Sequence, residues 1–218
     1  MDHAIAVVSV VAMPRARLPR AALLLATLAC VPSACSSGES SGPPPVAGCT
    51  DPFLGDPSKP MELELVYQGV DEVTHPLEDG GALPMIVPPQ GGWVVFVAGL
   101  VTNVDPCGAT IKGVLRDPSS GSVRVDERTA RLVATVDGRG GPADGDISTF
   151  SNVATCPNQW AAQALPGNPI ELTYSVTDRG GRYAKKTIMV VPECAEPQFA
   201  NSCKCQCKQD YVLGETCL

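Results

Sequence analysis

From Pro60 onward the chain alternates short apolar-rich runs with clusters of Gly, Pro, Asp and Ser. In Pro60 to Tyr67 the residues Met61, Leu63 and Leu65 alternate with Glu62 and Glu64, which places them on opposite faces of a strand. Two turns, Glu78-Asp79-Gly80-Gly81 and Pro88-Pro89-Gln90-Gly91-Gly92, bracket a second run over Ala82 to Val87. Trp93 to Val101 is almost wholly apolar and rich in branched residues, the pattern of a central sandwich strand. Further strands are predicted over Thr110 to Arg116, Ser122 to Asp126, Arg131 to Val136 and Ser148 to Ala154, with a loop over Asp137 to Pro142. The last pair is the clearest: Ile170, Leu172, Tyr174 and Val176 alternate with polar residues, and Asp178-Arg179-Gly180-Gly181 turns the chain into Tyr183 to Val191. No sustained helical period runs between Cys49 and Pro192; Asn158 to Leu165 offers a turn or two at most.

About eight short strands at this spacing predict an all-β, antiparallel sandwich with a small disulfide-rich C-terminal tail. The alternating strand, Asp-x-Gly turn and returning strand at Ile170 to Val191 resemble the last hairpin of bacterial immunoglobulin-like or fibronectin type III-like domains. That resemblance covers roughly Met61 to Val191. It implies a β-sandwich and no particular chemistry, because so widely used a fold hosts many functions.

The N-terminal stretch reads as an address. Arg15, Arg17 and Arg20 precede the apolar run Ala21 to Ala29, followed by Val31-Pro32-Ser33-Ala34-Cys35 and a Ser/Gly tract. A basic head, a short apolar segment and small residues before a cysteine form an export signal, and the apolar run is shorter than the ~20 residues a spanning helix needs. Ser33-Ala34-Cys35 resembles a bacterial lipobox, although Pro32 stands where that pattern prefers an aliphatic residue. The resemblance implies acylation of Cys35, with Cys30 as the rival, and translation from Met13. The expected organisation is signal and lipobox at 1-35, a disordered tether at 36-48, the β-domain at 49-192 and a cysteine-rich module at 193-218.

The chain carries 16 basic and 23 acidic residues; without Asp2, Arg15, Arg17 and Arg20 the balance is 13 to 22. Such acidity disfavours nucleic acid as a partner. Of 10 cysteines, Cys30 and Cys35 belong to the signal, which leaves the even set Cys49, Cys107, Cys156, Cys194, Cys203, Cys205, Cys207 and Cys217. In an oxidising compartment these eight are disulfide candidates. Five lie in the tail, so one tail cysteine should bond outside it; Cys49 is the candidate partner, with Cys107 bonding Cys156. Connectivity stays open at this level.

Cys203, Cys205 and Cys207, read as alternate residues of an extended segment, could instead converge on zinc or copper(I). Asp137, Asp144 and Asp146 could hold calcium in a loop, although Asp-Gly pairs are first of all turn formers. After the signal, His75 is the one histidine, with no Gly-x-Ser-x-Gly elbow in the chain. The adjacent carboxylates Asp71-Glu72 and Glu78-Asp79 diverge in direction. Trp160 could stack on a sugar, while Trp93 opens an apolar strand and belongs to the core. The expectation is a lipid-anchored protein of the bacterial cell envelope, on the outer membrane, without catalytic residues or cofactor, binding an envelope protein or glycan. Metal binding by the tail and an envelope hydrolase built on His75 are the alternatives.

Overall fold

The computed structural model describes residues 48–217. Its strands are β1 (Glu62–Gln68), β2 (Thr74–Pro76), β3 (Gly81–Met85), β4 (Trp93–Thr102), β5 (Ala109–Arg116), β6 (Val123–Ala130), β7 (Val133–Ala134), β8 (Gly140–Gly141), β9 (Ser151–Cys156), β10 (Ile170–Thr177) and β11 (Tyr183–Cys194). A short helix, α1 (Ala200–Gln206), follows. The first sheet has the order β2-β1-β4-β8-β7, and β9 also pairs with β4; the second has the order β3-β11-β10-β5-β6. Both are antiparallel but for one pair, β3 with β11, which runs parallel with Val190 opposite Gly81. An all-antiparallel arrangement was expected; the exception arises because β3 enters beside the last strand rather than in a hairpin with its sequence neighbours.

The alternation read from the sequence decides the inner faces. Ile170, Leu172, Tyr174 and Val176 of β10 are fully buried, and they pack with Leu65 of β1, Val95, Val97 and Val101 of β4, and Ile111 and Leu115 of β5 in a core shared by both sheets. The near-continuous apolar run of β4 is buried on its other side as well. Phe96 and Ala98 join Val66 and Phe150 in a second cluster on the outer face of the first sheet. A strand covered on both sides has no polar face to alternate.

The β6 and β9 segments are stitched across the two sheets by polar atoms. Ser151 Oγ accepts from the buried Gly113 amide at 2.9 Å and lies 3.0 Å from the Asp126 carboxylate. That carboxylate also accepts the Asn152 amide at 3.0 Å and a two-pronged contact from Arg128 at 2.9 and 2.6 Å. Burial alone would raise the Asp126 pKa; the bonds from Arg128, Asn152 and Ser151 outweigh it and hold the group below the ordinary carboxylate range.

The tail departs from the extended segment that alternate cysteines suggested. Ala200–Gln206 is helical, so Cys203 and Cys207, four residues apart, share a face. Both are fully buried and belong to the main core.

Candidate functional site

Four disulfides pair all eight cysteine candidates: Cys49 with Cys107, Cys156 with Cys207, Cys194 with Cys203, and Cys205 with Cys217. One tail cysteine does bond outside the tail, but its partner is Cys156 and not Cys49. The expected Cys107–Cys156 bond is therefore absent. Helix geometry explains the correction: the face that presents Cys203 to the end of β11 also delivers Cys207 to the end of β9, while Cys205 turns toward Cys217.

This bond docks the tail on the loop after β9, and Asn158 is the joint. Its side chain is 2 % exposed. The amide nitrogen donates to the Gln163 and Lys208 carbonyls at 2.9 and 3.1 Å, its oxygen accepts the Ala161 amide at 3.1 Å, and its backbone N–H donates to the Gln206 carbonyl at 2.8 Å. Leu165 N–H donates to the Cys207 carbonyl at 2.9 Å. On its other side the loop is held by Asp117, a buried carboxylate that accepts the Ala162 amide at 2.7 Å along with Ser119 and Ser120 hydroxyls at 2.8 and 2.7 Å. Burial opposes the ionised form of Asp117, and these hydrogen bonds overcome it, leaving the group well below the usual carboxylate range.

Between loop and tail lies a cleft of about 300 Å³, lined by Asn158 to Ala162 with Asp210 and Tyr211. The Trp160 indole N–H donates to the Thr155 carbonyl at 2.8 Å, which orients the ring, and the Arg124 guanidinium stands 6.0 Å from its centroid. Tyr211 is held by its hydroxyl donating to the Glu215 carbonyl at 3.3 Å, within a segment closed by the Lys208–Glu215 ion pair at 2.5 Å. Asp210 adopts φ +57°, a left-handed conformation that Asp and Asn tolerate. Its carboxylate and the Gln159 amide are exposed, and neither takes part in a hydrogen bond or ion pair with the described residues.

A second concavity, about 380 Å³, runs along the outer face of the first sheet, between Gln68, Glu72, Pro88, Phe96, Ile147 and Glu196. Gln68 there is 5 % exposed and its amide oxygen has no hydrogen-bond partner. Glu196 is engaged by the Val87 amide at 2.7 Å.

The remaining candidates fall apart spatially or lie elsewhere. Cys35 and Cys30 are outside the described residues. In this disulfide state Cys203, Cys205 and Cys207 offer no thiolate. The pKa of Asp137 is held at about 2 by the guanidinium of Arg139 and the Thr135 hydroxyl, and Asp146 caps Ser148 at 3.0 Å, each within its own turn, while Asp144 accepts from the Thr74 amide and hydroxyl of β2 at 2.9 and 2.5 Å, so each of the proposed calcium ligands is engaged with a different partner. Among the described residues the one cluster with converging ligand atoms is Cys49, Asp51 and Cys107, whose two sulfurs are bonded to each other. His75 Nε2 lies 3.0 Å from Asp71 and its ring stacks on Tyr67 at 5.4 Å; among the described residues no hydroxyl or thiol side chain bonds it. Asp79 accepts the Met189 amide at 2.8 Å. Trp93 is core, at 2 % exposure. Of the cleft, sequence reasoning singled out Trp160 alone. Gln159, Asp210 and Tyr211 carried no signal beyond standing next to cysteine-flanked turns.

Comparison with family models, curated proteins and solved structures finds no match to this chain.

Proposed function

We propose that the chain is a lipid-anchored protein of the bacterial cell envelope whose immunoglobulin-like β-sandwich and stapled tail act as a non-catalytic binding module. The observation that carries binding is the loop–tail cleft. It combines two oriented aromatic rings with an unengaged carboxylate and an unengaged amide, on a loop locked by the Cys156–Cys207 bond. Anchoring rests on Arg15 to Cys35, with acylation of Cys35 the event that tethers the module to the outer membrane. Pairing of every cysteine from Cys49 to Cys217 supports passage into an oxidising compartment.

Intact mass of protein purified from bacterial membranes, before and after reduction and alkylation, tests the reading. The expected species begins at Cys35, carries acyl chains, and gains eight alkyl groups only after reduction. A mass without acyl chains overturns the anchor, and thiols that react without reductant overturn the oxidised state.

A further inference from the structure

Resting on the binding-module reading, we infer that the loop–tail cleft binds a neutral saccharide, with Trp160 and Tyr211 as the ring platforms and Asp210 and Gln159 as the hydroxyl-binding groups. A pyranose ring presents a flat patch of C–H bonds on each face and a rim of hydroxyls. Its recognition therefore needs aromatic faces for the former and planar, two-atom polar groups for the latter. The cleft supplies both. Trp160, half-buried and packed in part against the core, has its N–H already consumed by the Thr155 carbonyl, and Tyr211, also half-buried, its hydroxyl by Glu215, so what these side chains offer the cleft is the ring surface left uncovered. Asp210 and Gln159 are in the opposite condition: their side-chain oxygens and nitrogens are free, exposed and on the same cleft. A carboxylate accepts two hydroxyl hydrogens at once, and a primary amide donates to one oxygen while accepting from another.

The surroundings favour a polar, uncharged ligand over the alternatives. Arg124, 6.0 Å from the Trp160 ring, already places a cation there, which disfavours an ammonium group on that ring. An anionic ligand would meet Asp210. Rigidity is also present: Asn158 and Asp117 pin the loop from both sides and three disulfides hold the tail, so little conformational freedom is lost on binding.

The test is a titration of the disulfide-intact protein with neutral trisaccharides of glucose, galactose, mannose and N-acetylglucosamine, followed by the indole N–H signals of Trp93 and Trp160 in two-dimensional NMR. At least one saccharide should shift the Trp160 signal saturably while the buried Trp93 signal stays in place. Asp210→Asn keeps a residue suited to the left-handed backbone, so the fold and melting temperature should be retained while affinity falls by about tenfold or more. Gln159→Ala should weaken binding in the same direction. Absence of a Trp160 shift with every trisaccharide overturns the saccharide assignment, as does a shift produced by choline instead, which would make the cleft a cation site. Shifts confined to residues around Gln68 and Phe96 overturn the location while leaving a binding module standing. Lipid anchoring is read separately by mass, so the two readings fail independently.

Discussion

Removing the Cys156–Cys207 bond by the double substitution Cys156→Ala and Cys207→Ala should destabilise the protein and loosen the cleft together. The bond closes a separation of 51 residues, for which the chain-entropy relation gives about 4 kcal/mol at room temperature. The internal Cys194–Cys203 bond shortens the effective loop, but the dependence is logarithmic and the figure changes little. Both sulfurs are buried, and the Cys207 sulfur sits 3.9 Å from that of Met85, so lost packing adds to the cost. Against a stability of about 5–15 kcal/mol for a folded domain, this is a large share, equivalent to a fall in melting temperature of about 8–16 °C. Thermal unfolding followed by circular dichroism gives the stability change. Hydrogen exchange at Asn158 and Leu165, whose amides bond the Gln206 and Cys207 carbonyls, gives the loosening. The matched double alanine variant of Cys205 and Cys217, a separation of 12, should cost about 3 kcal/mol and leave those two amides protected. A free-thiol assay guards the reasoning: the first variant should show none. Two free thiols, or an unchanged melting temperature, would refute it.

Three other perturbations probe the layers and their polar stitches. Tyr174→Phe should leave stability unchanged or raise it by about 1 kcal/mol in urea unfolding, because the buried Tyr174 hydroxyl makes no well-formed hydrogen bond, only a weak approach to the Gly99 backbone; a loss of more than about 1 kcal/mol would reveal a bond of real strength. Gly113→Ala should cost about 1–3 kcal/mol by the same measurement, since an added methyl would stand 2.6 Å from Ser151 Oγ and 2.9 Å from Val153; a neutral result would mean the sheets separate there more easily than their packing implies. Acid should also act through Asp117 and Asp126. Both have folded pKa values below the unfolded carboxylate value near 4, so their stabilisation is intact above about pH 4 and is lost as pH falls from there through the folded values. Urea midpoints measured across that range should drop below about pH 4 for the parent, and Asp117→Asn should start lower at neutral pH and fall less steeply. An acid limb as steep as the parent's would rule Asp117 out as its source.

The strands were legible because half-buried antiparallel pairs write their burial as alternation. Glu62 to Leu65 follow it residue by residue and Ile170 to Val176 do so except at Ser175, which is buried; the run Trp93 to Thr102, legible as a central strand, proves to be covered on both faces. Two very short elements did not show. Thr74–Pro76 has three residues, too few for a period, and Gly140–Gly141 pairs inside what reads as a loop because a glycine backbone can approach β4 closely. The tail helix was hidden by composition. Ala200–Gln206 has no aliphatic stripe, and the residues that seat it are cysteines counted as bond formers instead of as apolar groups. Spacing held the clue nonetheless: Cys203 and Cys207 stand one helical turn apart, and that face fixes both bonds. The cleft was not legible, because Asn158, Asp117 and Asp210 are far apart in sequence and come together through backbone amides and carbonyls that no side-chain pattern records.

The tail's attachment to the β9 loop is the premise of the cleft, and disulfide mapping tests it most directly. Protein digested without reduction at mildly acidic pH and sequenced by mass spectrometry should yield linked peptides joining Cys156 to Cys207 and Cys49 to Cys107, with Cys194, Cys203, Cys205 and Cys217 linked among themselves. A peptide joining Cys49 to any tail cysteine, or one joining Cys107 to Cys156, would contradict the account and dissolve the cleft with it.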